Sequence, residues 1–176
     1  MTTQRDTSEA DSPTVEETID GGLNAGPTDP PPYDVISVGR VVEAGIEIEN
    51  IVLVGAHFER IDDHQPIPSS VVEPTDPPEL GIARPEWEID QEKGRLGCIF
   101  TFMTTFPDPE PYEVIARFRL TYTFNAEVEL VESDVQQFVN WNAVFNAWPY
   151  WREYLTSTVN RAGLPRFLAP VMAVPR

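Results

Sequence analysis

The sequence predicts an α+β fold in which a four-stranded antiparallel sheet is followed by C-terminal helices packed on one of its faces. Two observations predict this class. Residues 86–124 contain alternating and β-branched apolar runs separated by short turns, whereas residues 133–163 repeat apolar side chains at helical spacing. A chain of 176 residues has room for one such domain and its hydrophobic core.

Four segments predict the strands. The first, 46–58, contains a nearly continuous apolar run, Ile51-Val52-Leu53-Val54, that is typical of a strand covered on both faces. Residues 86–90 and 96–106 follow, and 112–124 alternates most strictly. One face of that last segment has Ala116, Phe118, Leu120, Tyr122 and Phe124; the other has Arg117, Arg119, Thr121 and Thr123.

Two helices are predicted after the sheet. Ser133 with Gln136 three residues later resembles a capping box. Pro149 fits the first turn of the second helix, where the missing N–H costs little. The apolar face of that helix consists of Trp151, Tyr154, Leu155, Thr158, Val159 and Ala162. Gly163 and Pro165 are typical of its end.

The predicted domain organisation is an acidic tail over 1–32 and one ordered domain over 33–176. The tail contains seven acidic residues against one basic residue and no aromatic residue, so we expect it to be disordered. Inside the domain, residues 61–85 contain six prolines and are predicted to form a long loop.

The charge of the chain restricts its partners. A net charge of −17 at pH 7 disfavours binding to nucleic acid and to anionic lipid, and favours basic or unfolded polypeptides. The alternative is that the acidity only confers solubility. We expect a cytoplasmic protein, because the sequence contains neither a secretory signal nor an apolar run of membrane-spanning length. The single cysteine, Cys98, lies in an apolar run and is predicted to be a buried core residue.

Catalytic motifs are not found in the sequence. It contains no phosphate-binding loop, no Cys/His metal spacing and no nucleophile elbow, so no cofactor, metal or enzymatic activity is expected. Asp62-Asp63-His64 is interpreted as a solvated loop. Asp134 occupies the position where hot-dog-fold thioesterases place a catalytic carboxylate, but an acid in the first turn of a helix explains it better.

The aromatic residues exceed what a thin domain can bury. Phe138, Trp141, Phe145, Trp148 and Trp151 cannot all share one narrow helical stripe with Tyr154 and Val159. A surplus of apolar surface marks association or ligand-binding sites, so we expect an oligomer interface, a peptide-binding groove or both. The alternative is that all of these side chains belong to the core.

The C-terminal sequence resembles the SecB chaperone family. That family's motif, Phe-Pro-Tyr-x-Arg-Glu, is similar to Trp-Pro-Tyr-Trp-Arg-Glu at 148–153. Arg161 and Pro165 then follow at the family's spacing, and Leu-Ala-Pro-Val follows at 168–171. The motif helix residues are Pro149, Tyr150, Arg152, Glu153, Arg161 and Pro165. The preceding order, four antiparallel strands and then helices, also matches the family, over roughly 45–174.

The resemblance implies a homotetramer, built as a dimer of dimers, that holds unfolded polypeptide in apolar grooves without ATP. In this interpretation the candidates for the client-binding groove are Phe100, Phe102, Phe118, Tyr122, Phe124, Phe138, Trp141, Phe145, Trp148 and Trp151. General export chaperones of the family present acidic residues on the open sheet face to dock the translocase motor SecA.

This sequence departs from the export pattern on that open face. Arg117 and Arg119 are expected there, with Asn50 and Val54 as the counterparts on the first strand, and arginines reverse the charge offered to a basic partner. The motif is also similar to that of SecB-like chaperones of toxin–antitoxin systems, which hold an antitoxin segment. We therefore expect a dedicated chaperone of that kind, with general export to SecA as the alternative and a hot-dog-type acyl-thioester enzyme as a distant one.

Overall fold

The computed structural model describes residues 32–60, 78–106, 111–164 and 166–172. The predicted α+β class is confirmed. Helices and strands follow in the order α1 (Val35–Glu43), β1 (Glu47–Arg60), β2 (Glu79–Ile82), β3 (Glu86–Asp90), β4 (Arg95–Phe106), β5 (Tyr112–Thr123), α2 (Glu132–Phe138) and α3 (Val144–Arg161). A π-helical turn, Val139–Ala143, joins α2 to α3.

All strand pairs are antiparallel, and the strand order is β1-β5-β4-β2 with β3 also paired to β4. Four strands agree with the predicted segments. The fifth, β2, lies within the predicted loop 61–85, where Glu79–Ile82 pairs with the stretch of β4 from Phe102 to Thr105. Residues 61–77 of that loop, including Asp62-Asp63-His64, lie outside the described residues, as do 1–31 of the predicted tail and Pro165.

The core lies between one face of the sheet and the helices. Burial alternates strictly along β4 and β5, as the period-two pattern predicted. Ala116, Leu120 and Tyr122 face the core together with Leu96 and Phe100, and all five are almost completely buried. Cys98 is also buried in this layer, as predicted. On α3, Trp151, Leu155 and Val159 complete the core, which confirms the predicted apolar face of that helix.

The helix boundaries differ from those predicted. The N-cap of α2 is Val131, without a side-chain hydrogen bond, so the capping box of Ser133 and Gln136 does not form. Pro149 lies inside α3 and not in its first turn, because the π-helical turn connects the two helices without an intervening loop. Pro149 is exposed, which leaves room for its ring on the outer side of the helix.

The helix α1 was not predicted. Asp34 caps it: its Oδ1 accepts from the Ile36 N–H at 3.0 Å and its Oδ2 accepts from the Ser37 hydroxyl at 2.7 Å. These hydrogen bonds lower the pKa of Asp34 below its usual value. Val38 and Val41 face the core, and Gly45, at φ 68°, reverses the chain into β1.

Several polar contacts and a ring contact connect α1 and the residues just before it to α2 and the π-helical turn. Arg40 Nη1 lies 3.2 Å from Oδ2 of Asp134, whose side chain is only 2 % exposed. Gln137 donates to the Pro32 carbonyl at 3.2 Å, and Tyr33 meets Trp141 edge to face at 5.8 Å. Asp134 therefore lies in the first turn of a helix, as predicted, and also anchors α1 through its ion pair.

No helix within the described ranges combines the length and the apolar character needed to cross a membrane.

Candidate functional site

The edge strand β1 exposes the largest apolar surface of the sheet. It is 14 residues long and pairs only with β5 among the described strands, so none of those strands lies along its other edge. Its exposed apolar side chains, each with 43 to 46 % of its area accessible, are Ile48, Val52, Leu53, Val54 and Phe58. The expectation that the run Ile51–Val54 is covered on both faces is therefore wrong for the single chain. Long exposed apolar edges are sites of association.

A cleft of about 310 Å³ lies between β1 and α3. Its apolar floor is formed by Ile51 and Leu53 of β1 together with Phe118 of β5. Its wall consists of the α3 residues Tyr150, Glu153, Tyr154, Ser157 and Arg161. The cleft is shallow and open to solvent, both polar and apolar groups line it, and the exposed side chain of Leu53 is one of its lining groups.

Three members of the motif helix line that cleft. Tyr150, Glu153 and Arg161 are all exposed on the side of α3 that faces β1. The helical period places them together, since 150, 153 or 154, 157 and 161 recur on one helix face. The motif therefore supplies a carboxylate and a guanidinium to the rim of an apolar cleft, where both remain hydrated.

A fourth motif residue, Arg152, has a different role. Its Nε donates to the Ala169 carbonyl at 3.0 Å, and Trp148 Nε1 donates to the Pro170 carbonyl at 3.0 Å. These donors fix the described C-terminal segment, 166–172, across α3. The segment therefore packs back on the domain.

The ten aromatic residues predicted for a client groove are mostly in the core. The buried ones are Phe100, Phe102, Phe118, Tyr122, Phe124, Phe138, Trp148 and Trp151. Trp141 and Phe145 are half-buried. The helical run of α2, the π-helical turn and α3 packs with most of these rings in the core. Five exposed apolar side chains lie on β1, and none of them is among the ten predicted.

Arg117 and Arg119 are exposed on the sheet face opposite the helices. Arg117 Nη2 lies 3.1 Å from the Glu86 carboxylate of β3. On β1, Val52 lies opposite Arg119, Gly55 lies opposite Arg117 and Asn50 lies opposite Thr121.

The titratable groups inside the domain are held neutral or paired. Burial raises the pKa of the Cys98 thiol to about 12, and burial also raises the pKa of Tyr112 and of Tyr122. The Tyr122 hydroxyl accepts from Asn146 at 3.1 Å. No group of three or more His, Cys, Asp or Glu side chains suited to a metal ion occurs among the described residues. The arrangement offers apolar and main-chain contacts, with a rim of fixed charges.

Comparison with known proteins agrees with this architecture. Neither a family model nor a curated protein sequence matches the chain. Among solved structures, the chain is similar to the Mycobacterium tuberculosis Rv1957 SecB-like chaperone, solved in complex with a ChAD peptide from the Rv1956 HigA1 antitoxin. That match has a TM-score of 0.65 at 17 % identity and covers 79 % of this chain and 99 % of that chain.

A second match is a protein of unknown function from Streptococcus agalactiae, with a TM-score of 0.39, 8 % identity and coverage of 71 % and 96 %. At that score it adds nothing to the assignment. The first match covers almost the whole length of the M. tuberculosis chaperone. The strand order and the C-terminal helix of this chain agree with the SecB-like scaffold that the sequence predicted. The described part of this chain therefore has the fold of the SecB-like chaperones.

Proposed function

We propose that this protein is an ATP-independent chaperone that holds unfolded or aggregation-prone polypeptide on an apolar surface. One observation supports this most strongly. The β1 strand exposes five large apolar side chains, and one of them, Leu53, lines the cleft formed with α3. Such a surface binds extended polypeptide mainly by removing apolar area from water, which needs little sequence specificity. The proposed setting is the cytoplasm, where newly made clients are still unfolded.

The proposed client is a specific one, an antitoxin of a toxin–antitoxin system. The similar M. tuberculosis chaperone was solved with an antitoxin peptide, which supports a client of this class for the shared fold. The charge on the open sheet face points the same way. Arg117 and Arg119 replace the acidic face that a basic motor would need, and like or missing charges suppress docking.

The proposed assembly is a homo-oligomer, with a tetramer as the expected form. No described strand pairs with the outer edge of β1, and pairing with a second copy would satisfy main-chain groups there. Such pairing uses the main chain of β1 and leaves the side chains of Ile51 and Leu53 at the cleft. Assembly and client binding are therefore compatible on one strand.

Export chaperoning for SecA is the alternative function, and the arginines of the open face weigh against it. The enzyme alternative has less support. Asp134, its proposed carboxylate, is buried and ion-paired with Arg40, which supports a structural role. A pull-down with SecA distinguishes the first two: export requires binding that survives Arg117→Ala with Arg119→Ala.

Aggregation of a denatured model protein tests the holding function. Rhodanese diluted from guanidinium scatters light as it aggregates, and we expect the wild-type chain to suppress this without ATP. Introducing Ile51→Asp together with Leu53→Asp in the cleft should weaken suppression about tenfold or more, since each buried apolar side chain contributes about 1.5–3 kcal/mol. Ile36→Asp on α1 is the matched control, because Ile36 is 69 % exposed and lies away from the cleft.

Unchanged aggregation in the presence of the wild-type chain would rule out the holding function. The dedicated client is tested separately by co-expressing the chain with its neighbouring open reading frames. We expect one neighbour to become soluble only in its presence. If none does, while rhodanese is still held, the chaperone is general and not dedicated.

A further inference from the structure

The C-terminal segment 166–172 lies across α3 with no helical or strand structure of its own. Among the described residues, no main-chain to main-chain hydrogen bond ties it to the rest of the domain; the last such bond is from the Leu164 N–H to the Val159 carbonyl. Two consecutive carbonyls of the segment accept from side chains of α3 instead. Trp148 Nε1 donates to Pro170 and Arg152 Nε donates to Ala169, each at 3.0 Å.

From Arg166 to Pro170 the side chains of the segment alternate between solvent and the domain, and the alternation ends at Val171, which is exposed. The Phe167 ring packs edge to face on Phe106 at 5.2 Å, and Ala169 is 2 % exposed. Between and beyond them, Leu168 is 59 % and Val171 is 76 % exposed. Extended chains bind grooves in this way, with alternate side chains in pockets and the main chain held by hydrogen bonds. Nothing in these contacts requires the segment to be covalently part of the domain.

Aromatic rings form the floor beneath the segment. Phe106 stacks on Tyr112 at 4.3 Å, and Tyr112 in turn contacts Phe58 at 5.8 Å. Phe58 is 43 % exposed on β1, so the ring row runs from beneath the segment to open surface. Trp148 is 8 % exposed and contacts the core ring of Phe102 at 5.7 Å. Removing the segment would therefore extend an apolar surface that already reaches solvent.

We infer that Trp148 and Arg152 form a binding site for the main chain of an extended client, and that 166–172 is its resident occupant in the free protein. The client segment that fits has an aromatic residue two positions before a small one, the pattern that Phe167 and Ala169 show. This inference rests on the proposed holding function and names a site for it.

Competition follows from how the segment is attached. Hydrogen bonds from side-chain donors to main-chain carbonyls do not depend on the sequence of the bound chain. A client can therefore form the same two hydrogen bonds in place of the segment. The tether keeps the segment at a high effective concentration, and this lowers the apparent affinity for clients by the fraction of sites that it occupies. Weakening the segment should therefore strengthen client binding.

A peptide with the sequence of residues 166–176, labelled at its N-terminus, provides the test. Its binding to the full-length protein is followed by fluorescence anisotropy. In Ala169→Glu the resident segment is expelled, because Ala169 is buried and a carboxylate cannot be accommodated there. We expect the peptide to bind this variant at least tenfold more tightly than the wild-type chain, and reduced, carboxymethylated lactalbumin, which stays unfolded, to displace it.

Two further substitutions, Trp148→Phe and Arg152→Gln, are each combined with Ala169→Glu. Each should lower the affinity for the peptide about five- to tenfold, as expected for loss of one hydrogen bond. Trp87→Phe and Arg84→Gln in the same background are the matched controls and should leave the affinity unchanged. Circular dichroism checks folding, and Phe167→Ser is a second, milder way to release the segment.

The inference would be overturned if the peptide bound with equal affinity to the wild-type chain, Ala169→Glu and Phe167→Ser. It would also be overturned if an unfolded client that is held in the aggregation assay failed to displace the bound peptide. In that last case the holding function stands and only this site is rejected. If no client is held at all, the proposed function fails, whereas peptide binding that depends on Trp148 and Arg152 would still establish the main-chain site.

Discussion

Two side chains connect the two parts of the C-terminal motif, the α3 residues 148–153 and the Leu-Ala-Pro stretch at 168–170. Trp148 and Arg152 belong to the helix motif, and the carbonyls that they bind belong to the Leu-Ala-Pro stretch twenty residues later. The first half supplies donors and the second supplies acceptors, so each is incomplete without the other. Glu153 and Arg161 of the same motif face away from this contact and line the β1–α3 cleft.

Cys98 gives a prediction at this scale. Burial favours the neutral thiol and raises its pKa to about 12, so at pH 8 only about one thiol in ten thousand is ionised in the folded protein. We expect a disulfide reagent such as dithionitrobenzoate to react with Cys98 in guanidinium but hardly at all in native buffer. Absorbance of the released thiolate measures this, and Cys98→Ala gives the background.

The sign of the linked stability change follows from the same shift. The folded state keeps its proton where the unfolded thiol loses it, so this group's contribution is complete below pH 9.0 and is lost as the pH rises toward about 12. Rapid labelling of Cys98 in native buffer would contradict the burial of this thiol.

At the scale of elements, turns and junctions decide the geometry around the cleft. The π-helical turn Val139–Ala143 lets α2 run into α3, so a single helical run covers the sheet. The register shifts of β1 at Ile48/Asn50 and at Leu53/Gly55 change which side chains face the cleft. The turn between β3 and β4 ends at Gly94, whose carbonyl accepts from the Phe124 N–H at 2.8 Å.

Gly94→Ala is predicted to destabilise the fold by about 2 kcal/mol or more. Gly94 has a φ of 59°, and an added Cβ would lie 2.2 Å from the Phe124 carbonyl oxygen, so the β3–β4 turn would have to move away from β5. Gly163→Ala is the matched control: its φ is 71° with open space around it, so only the backbone cost of about 1 kcal/mol applies. Urea unfolding of both variants measures the difference; equal losses would contradict the steric part of the argument.

For the whole molecule, the position of β1 at the edge of the sheet is decisive. A strand of 14 residues whose outer edge meets no other described strand, and whose apolar side chains are exposed, favours association. The acidic balance of −17 keeps such a molecule soluble and directs association to this apolar edge.

Lysines on β1 should therefore reduce the assembly to single chains. We expect the wild-type mass from multi-angle light scattering to be a multiple of 19.8 kDa, and Val52→Lys with Val54→Lys to shift it to 19.8 kDa. Val42→Lys on α1 is the control, because Val42 is 56 % exposed and lies off the edge strand. A wild-type monomer, or an unchanged mass with both lysines, would exclude β1 as the interface.

The sequence by itself determined which residues share a face. The period of two along 112–124 separated the core side of β5 from Arg117 and Arg119, and the period of 3.6 did the same for α3. These patterns are local, so a single strand or helix is enough to specify them. The residue order at 148–171 also predicted the scaffold, through its resemblance to the motif of the SecB family.

Only the tertiary structure decided which faces are covered. Ile51–Val54 has the composition of a buried strand, yet it lies at the edge because strand order depends on pairing between distant segments. Phe102 and Trp151 were expected in an accessible groove, yet the joined helices enclose them. Periodicity fixes the side on which a residue lies, whereas burial depends on what packs against that side, and that is a non-local property of the fold.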